Sequence, residues 1–227
     1  MSAREPLPPP GERVADRRSR AARVMGLLRS AYPDARCALD YESPFQLLIA
    51  TVLSAQCTDE RVNQVTPALF DCFPTAQAMA AADIEQLEQL VRPTGFYRNK
   101  AKSILGAARR IDYEFGGVVP VEMNDLLTIP GVARKTANVV ISNCFPDHVD
   151  GIAVDTHVQR IARRLSLTRS FPTDKIERDL QRVIPQQDWN EVTHLMIDHG
   201  RAICRARSPR CGECPLASEC PSSERFG

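Results

Sequence analysis

Long apolar runs are missing from this 227-residue sequence. No stretch approaches the roughly 20 apolar residues of a bilayer-spanning helix. The N-terminus, Pro-rich from Met1 to Gly11 and then basic, has no apolar signal region. The expected location is therefore the cytoplasm, at the nucleoid if DNA is the partner, with no membrane involved. Net charge is also nearly absent, at +1, so no bulk attraction to nucleic acid is visible. A near-neutral total still leaves room for a locally basic face. Strand-like sequence is confined to Val118–Val121, too short to pair into a sheet. No repeat of fixed period appears, which excludes a solenoid or array.

What is present is helical almost throughout. Hydrophobic residues make up 43% and charged residues 25%, an ordinary globular balance with enough apolar mass for one domain or two small ones. Gly11–Ala31 suits a surface helix. Ser43-Pro44 supplies an N-cap and a first-turn proline for the buried Phe45–Ala55 run. Thr58-Asp59 caps a helix over Val62–Phe70, with a kink expected at Pro67. Short helices follow near Thr75–Ala80 and Asp83–Val91. Arg98–Phe115 is a long amphipathic helix stopped by Gly116-Gly117. Further helices are expected at Asn124–Thr128, Arg134–Phe145, His157–Ser166, Asp174–Val183 and Trp189–Cys204. The fold class is all-α.

The segment IPGVARKTANVV, Ile129–Val140, reads as a tight Pro-Gly hairpin opening a helix. Pro130 fixes φ and Gly131 permits the close turn. N–H groups around Gly131, Ala133 and Arg134 then form a candidate phosphate grip at the helix start. The same turn also serves as an ordinary connector in helical bundles. Lys135 lies in the first turn, and helical spacing puts Asn138 and Ser142 on its polar side. A nucleophilic amine must be neutral, a form that neighbouring Arg134 and the helix dipole favour. Spacing alone leaves Lys135 undecided between a nucleophile and a solvated surface charge. Downstream, AVDTH places Asp155 just before another helix.

Of the eight cysteines, Cys37, Cys57, Cys72 and Cys144 are scattered in apolar surroundings and read as buried small hydrophobes. Cys204, Cys211, Cys214 and Cys220 form C-x6-C-x2-C-x5-C near the C-terminus. Four thiolates on so short a loop indicate a metal site. Structural zinc and an iron–sulfur cluster both remain open on spacing. The intervening loop carries Arg205, Arg207 and Arg210 and no acid, which makes it either a candidate phosphate-contact platform or ordinary solvated surface.

SPFQLLIATVLSAQCTD, TGFYRNKA, IPGVARKTANVV, AVDTH and the cysteine loop, in that order, resemble the endonuclease III family of the helix–hairpin–helix superfamily. The resemblance runs from about Arg23 to Cys220. It implies two helical domains, a six-helix domain with the hairpin over residues 37–148 and a discontinuous cluster domain from 21–36 plus 149–227. Residues 1–20 are expected to form a disordered Pro-rich extension. It also implies a [4Fe-4S] cluster on Cys204, Cys211, Cys214 and Cys220. The implied activity is that of a bifunctional glycosylase and abasic-site lyase acting as a monomer on double-stranded DNA with damaged pyrimidines or abasic sites. Lys135 would be the nucleophile and Asp155 the carboxylate that stabilises the sugar cation. Gln56 would fill the hole left by a flipped nucleotide. Phe96 would be the wedge, at a position where the family commonly has an aliphatic residue. Gly131, Ala133, Arg134, Arg207 and Arg210 would contact DNA. The family hairpin is usually Gly-Val-Gly, and Ala133 replaces its second glycine.

Three other readings are weighed. A mismatch-specific glycosylase of the same superfamily would lack lysine at position 135 and carry a further C-terminal domain, whereas this sequence ends seven residues after Cys220. A non-catalytic helix–hairpin–helix module would need neither Lys135 nor Asp155. A ferredoxin-like electron carrier fits poorly with one cluster site appended to a large helical body.

Overall fold

The computed structural model describes residues 12–226. Among the described residues there is no β-strand, and the all-α expectation is borne out. The chain divides into two compact units, one spanning Cys37–Val149 and the other taking the described residues up to Arg36 together with those from Asp150.

The Cys37–Val149 unit is built on α2, Pro44–Leu53, whose residues Leu47–Leu53 are all buried. Its start follows from local chemistry. The Ser43 hydroxyl accepts from the Gln46 N–H at 3.2 Å, and the Gln46 side chain accepts from the Glu42 N–H at 2.8 Å. This pair satisfies the Gln46 N–H, an orphan donor of the first turn, and the N–H of Glu42 just ahead of the cap. Packed around or beyond α2 are α3 (Asp59–Cys72), α4 (Ala76–Ala80), α5 (Ile84–Val91), α6 (Tyr97–Phe115), the one-turn α7 (Met123–Leu126) and α8 (Arg134–Cys144). Thr58, Thr75 and Asp83 each supply the side-chain N-cap of the next helix. Gly116, at φ 61°, closes α6 in the left-handed region. Pro67 sits inside α3. Leu48, Ile49, Leu53, Leu69, Leu87, Ile104 and Ile111 form the core. Each such side chain contributes roughly 1.5–3 kcal/mol when fully buried.

The second unit holds α1 (Val14–Ala31), α9 (Thr156–Arg164), α10 (Thr173–Val183) and α11 (Val192–Ala202). On α1 the stripe Ala21, Val24, Met25, Leu28 recurs at helical spacing and packs with Ile161, Ile176, Leu180, Leu195 and Met196. The expected extension through residue 20 is therefore corrected, because α1 begins at Val14. The reason is ionic. Glu12 pairs with Arg17 at 3.1 Å and Arg20 at 2.8 Å, and buried Arg20 donates to the Leu165 carbonyl at 2.6 Å. Residues 1–11 of that extension lie outside the described residues. The helix expected over Trp189–Cys204 starts later, at Val192, because residues 186–188 form a separate 3-10 turn.

Candidate active site

The hairpin is a turn in which the Val132 N–H donates to the Ile129 carbonyl at 3.0 Å, with Gly131 at φ 79°. Glycine is required there twice over. The backbone is left-handed, and a Cβ would lie 2.9 Å from the Ser103 Cβ. Pro130 packs against Gly106 of α6, where a Cβ would meet the proline ring at 3.1 Å. A glycine in the middle of a helical pattern signals such an approach, and Gly106 is a residue that sequence reasoning passed over.

Ala133 is the N-cap of α8, at φ −96° and ψ 169° with no side-chain cap bond. Any residue adopts that conformation, so the alanine brings no backbone strain. Because an alanine cap has no acceptor, the first-turn N–H groups of α8 are left uncapped by its side chain, in the position that suits an anion. Arg134 and Lys135 are both exposed in that turn. Asn138, expected on the polar side with Lys135, is instead only 2% exposed. The buried stripe of α8 runs through Ala137, Asn138, Val140 and Ile141, and the asparagine lies within it.

Gln56, Phe96 and Gly131, far apart in sequence, line one cleft of about 260 Å³ together with Val52, Ala55, Asn99, Lys100 and Ser103. Gln56 sits at φ 53° and Phe96 at φ 47°, left-handed values that are uncommon outside glycine and cost energy. Phe96 is 67% exposed. Core packing does not account for a large apolar ring held in the open on a constrained backbone.

In the other unit, Asp155 is the N-cap of α9 and accepts from the Val158 N–H at 2.7 Å. This bond fixes the carboxylate and leaves its second oxygen for another partner. Burial pushes the His157 and His194 imidazoles down from their ordinary values, against the opposing pull of Asp155.

Cys204, Cys211, Cys214 and Cys220 line one cavity, closed by Ile161, Leu165 and Leu216. Among the described residues, no three His, Cys, Asp or Glu side chains are placed to hold a single ion. Four soft thiol donors around one cavity are the donor set that an iron–sulfur cluster takes. The surroundings fit it too. Arg164 donates to the Cys204 Sγ at 3.2 Å and to the carbonyls of Arg205 and Ala206. His199 Nε2 stands 3.7 Å from the Cys214 Sγ, while its Nδ1 meets the Tyr32 hydroxyl at 3.0 Å. Donors aimed at ligand sulfurs are what an iron–sulfur site uses to orient and tune its thiolates. Burial pushes the free Cys220 thiol up to about 11, a cost that metal binding to the thiolate offsets.

The loop arginines divide. Arg207 is exposed. Arg210 donates to the Ala202 carbonyl at 2.9 Å and pairs with Glu213 at 3.1 Å, so part of its guanidinium braces the loop. Arg205 donates to the Arg201 carbonyl.

Residues 49–186 match the HhH-GPD superfamily of base excision DNA repair proteins, and residues 204–220 match the iron–sulfur binding domain of endonuclease III. The chain belongs to the endonuclease III family. An endonuclease III of Synechocystis sp. is 54% identical over 93% of this chain and 96% of its own length. That of Bacillus subtilis is 44% identical over 86% and 88%. A solved structure described as a trapped endonuclease III–DNA covalent intermediate, an estranged-adenine complex, superposes with a TM-score of 0.85 at 41% identity. It covers 92% of this chain and 97% of its own. A thermostable thymine-DNA glycosylase shares the fold, with a TM-score of 0.80 at 17% identity.

The protein is accordingly an enzyme of base excision repair, a bifunctional DNA glycosylase and abasic-site lyase that binds DNA and carries a [4Fe-4S] cluster. No described helix is long and apolar enough to cross a membrane.

Proposed function

We propose that the chain removes oxidised or otherwise damaged pyrimidines from double-stranded DNA, acting as a monomer at the nucleoid, with Lys135 as nucleophile. The observation that carries this reading is the exposed Lys135 in the first turn of α8, directly after a hairpin whose turn geometry admits only glycine at position 131. A phosphate gripped at the hairpin would hold the neighbouring sugar within reach of the amine.

Chemistry on a base inside the duplex requires its nucleotide to be flipped out. Gln56 fills the vacated space and Phe96 wedges into the opposite strand, an arrangement supported by their common cleft. The neutral Lys135 Nζ bonds to C1′ as the glycosidic C–N bond breaks, and the base leaves with that electron pair and takes up a proton. Asp155 stabilises the positive charge that develops on the sugar, as a fixed carboxylate does best when already oriented. The amine loses a proton, its lone pair forms a protonated imine with C1′ as the C1′–O4′ bond breaks, and O4′ leaves with that bond's electrons and takes up a proton. Removal of a C2′ proton then breaks the C3′–O bond and releases the 3′ strand.

Cys204, Cys211, Cys214 and Cys220 hold the cluster, which when bound links four points of the C-terminal loop and contributes folding energy. The loop so fixed presents Arg207 and Arg210 to the phosphate backbone.

Borohydride should trap a covalent adduct between the protein and duplex DNA carrying an abasic site or thymine glycol. Lys135→Ala should abolish the adduct and leave binding to the same DNA largely intact. Continued trapping by that variant would show that another residue is the nucleophile.

A further inference from the structure

Lys100 is a buried cation that the chemistry above does not use. It is only 5% exposed, and among the described residues no carboxylate pairs with it. Burying a lysine in that state is costly, and burial lowers its affinity for the proton. Something in its surroundings must hold it there. Its Nζ donates to the Thr94 carbonyl at 2.7 Å, and its backbone N–H donates to the Phe96 carbonyl at 3.1 Å. The first is made by the side chain; the second is the opening backbone bond of α6, which any residue at position 100 makes. Thr94 is itself buried and anchored, its hydroxyl donating to the Val91 carbonyl at 2.8 Å.

Between these two anchors lie Gly95 at φ 73° and Phe96 at φ 47°. The second is a left-handed conformation that a phenylalanine does not hold unless its neighbours enforce it. The ring of Phe96 projects into the open at one edge of the cleft, and Lys100 lies along the same cleft. We propose that Lys100 is the positioning residue of the Phe96 wedge, its ammonium clamping the loop at the Thr94 carbonyl, just before Gly95 and Phe96, so that the ring is presented rigidly to the DNA stack. A wedge fixed beforehand loses little freedom on insertion, and a loose one must be ordered as it binds. The proposal rests on the reading of Phe96 as the wedge.

The test uses the full-length, cluster-containing enzyme and compares Lys100→Met, Phe96→Ala and the double variant. Borohydride trapping is measured on an abasic site in duplex DNA and on the same strand alone, where no opposite strand exists to be wedged. A 2-aminopurine opposite the lesion reports disturbance of that strand by its fluorescence. Lys100→Met should slow duplex trapping about ten-fold, leave single-strand trapping within about two-fold, and abolish the fluorescence rise. Added to Phe96→Ala it should cost nothing more, because both act through one ring. An equal loss on both DNAs, or full additivity of the two substitutions, overturns the positioning role. Phe96→Ala with an unchanged fluorescence rise would overturn the wedge reading itself, whatever Lys100 does. Should Lys100→Met fail to fold, Lys100→Gln, which keeps a polar donor on a shorter stem, carries the same comparison.

Discussion

Gly131 and Ser103 leave no room for a methyl group between them. A Cβ built on Gly131 would stand 2.9 Å from the Ser103 Cβ and 3.4 Å from Val52 Cγ1, on a backbone at φ 79°. The hairpin is thus seated directly on α6 and α2, the two helices that also carry the cleft. Gly131→Ala should destabilise this unit by about 2–4 kcal/mol, combining left-handed strain with overpacking. It should also weaken binding to abasic-site duplex DNA. Denaturant unfolding and fluorescence anisotropy measure the two effects. A variant with wild-type stability and affinity would mean that the turn relaxes without loss.

Ala133 gives the opposite expectation. Its φ of −96° is open to any residue, so restoring the family's second glycine gains nothing in geometry. Ala133→Gly should change stability by less than about 1 kcal/mol, because the freer unfolded chain is opposed by the preference for glycine over alanine at an N-cap. DNA affinity should stay within about two-fold. A large gain in affinity would show that the alanine methyl obstructs the phosphate.

Much of the architecture is legible from local chemistry. Ser43-Pro44, Thr58, Thr75, Asp83 and Gly116 mark helix ends because capping depends on residues three or four positions apart. The cysteine spacing marks the metal loop because all four ligand candidates fall within residues 204–220. What escapes sequence reading lies in pairings across long separations or with backbone atoms. Lys100 bonds a carbonyl, which carries no residue identity. Arg164 reaches Cys204 some 40 positions away. Gly106 accommodates Pro130 across a helix and a turn. Asn138 looks solvated by composition and is buried by the orientation of α8. The convergence of Gln56, Phe96 and Gly131 on one cleft depends on how α2, α6 and the hairpin pack, which no single segment encodes.

The loop arginines should separate in a salt titration. Arg207 is exposed, while Arg210 is partly engaged with Ala202 and Glu213. Each phosphate contact contributes close to one unit to the slope of log affinity against log salt. Arg207→Ala should therefore reduce the slope by about one unit, with iron content unchanged. Arg210→Ala should reduce the slope less and lower the iron retained per chain, because it loosens the turn entering Cys211. Equal slopes for wild type and Arg207→Ala would remove Arg207 from the interface.

The anchoring of α1 should depend on acid. Burial opposes ionisation of Glu12, but the Arg20 and Arg17 guanidiniums outweigh it and hold the carboxyl below its ordinary 4.5. A carboxyl with a depressed folded value contributes stability above its unfolded value, and that contribution is lost as pH falls through the folded one. Glu12→Gln removes the nearest countercharge of buried Arg20 and leaves it the more distant Glu219, at a cost of about 1–3 kcal/mol near neutrality. Amide hydrogen exchange over Val14–Ala31 should accelerate in the variant at pH 7. The gap from wild type should begin to close as the pH drops below 4.5 and vanish only below the lower folded value, where Glu12 is neutral in both the folded and unfolded chain. A gap that persists undiminished in acid would mean that side-chain shape, and not the Glu12 charge, ties α1 to its unit.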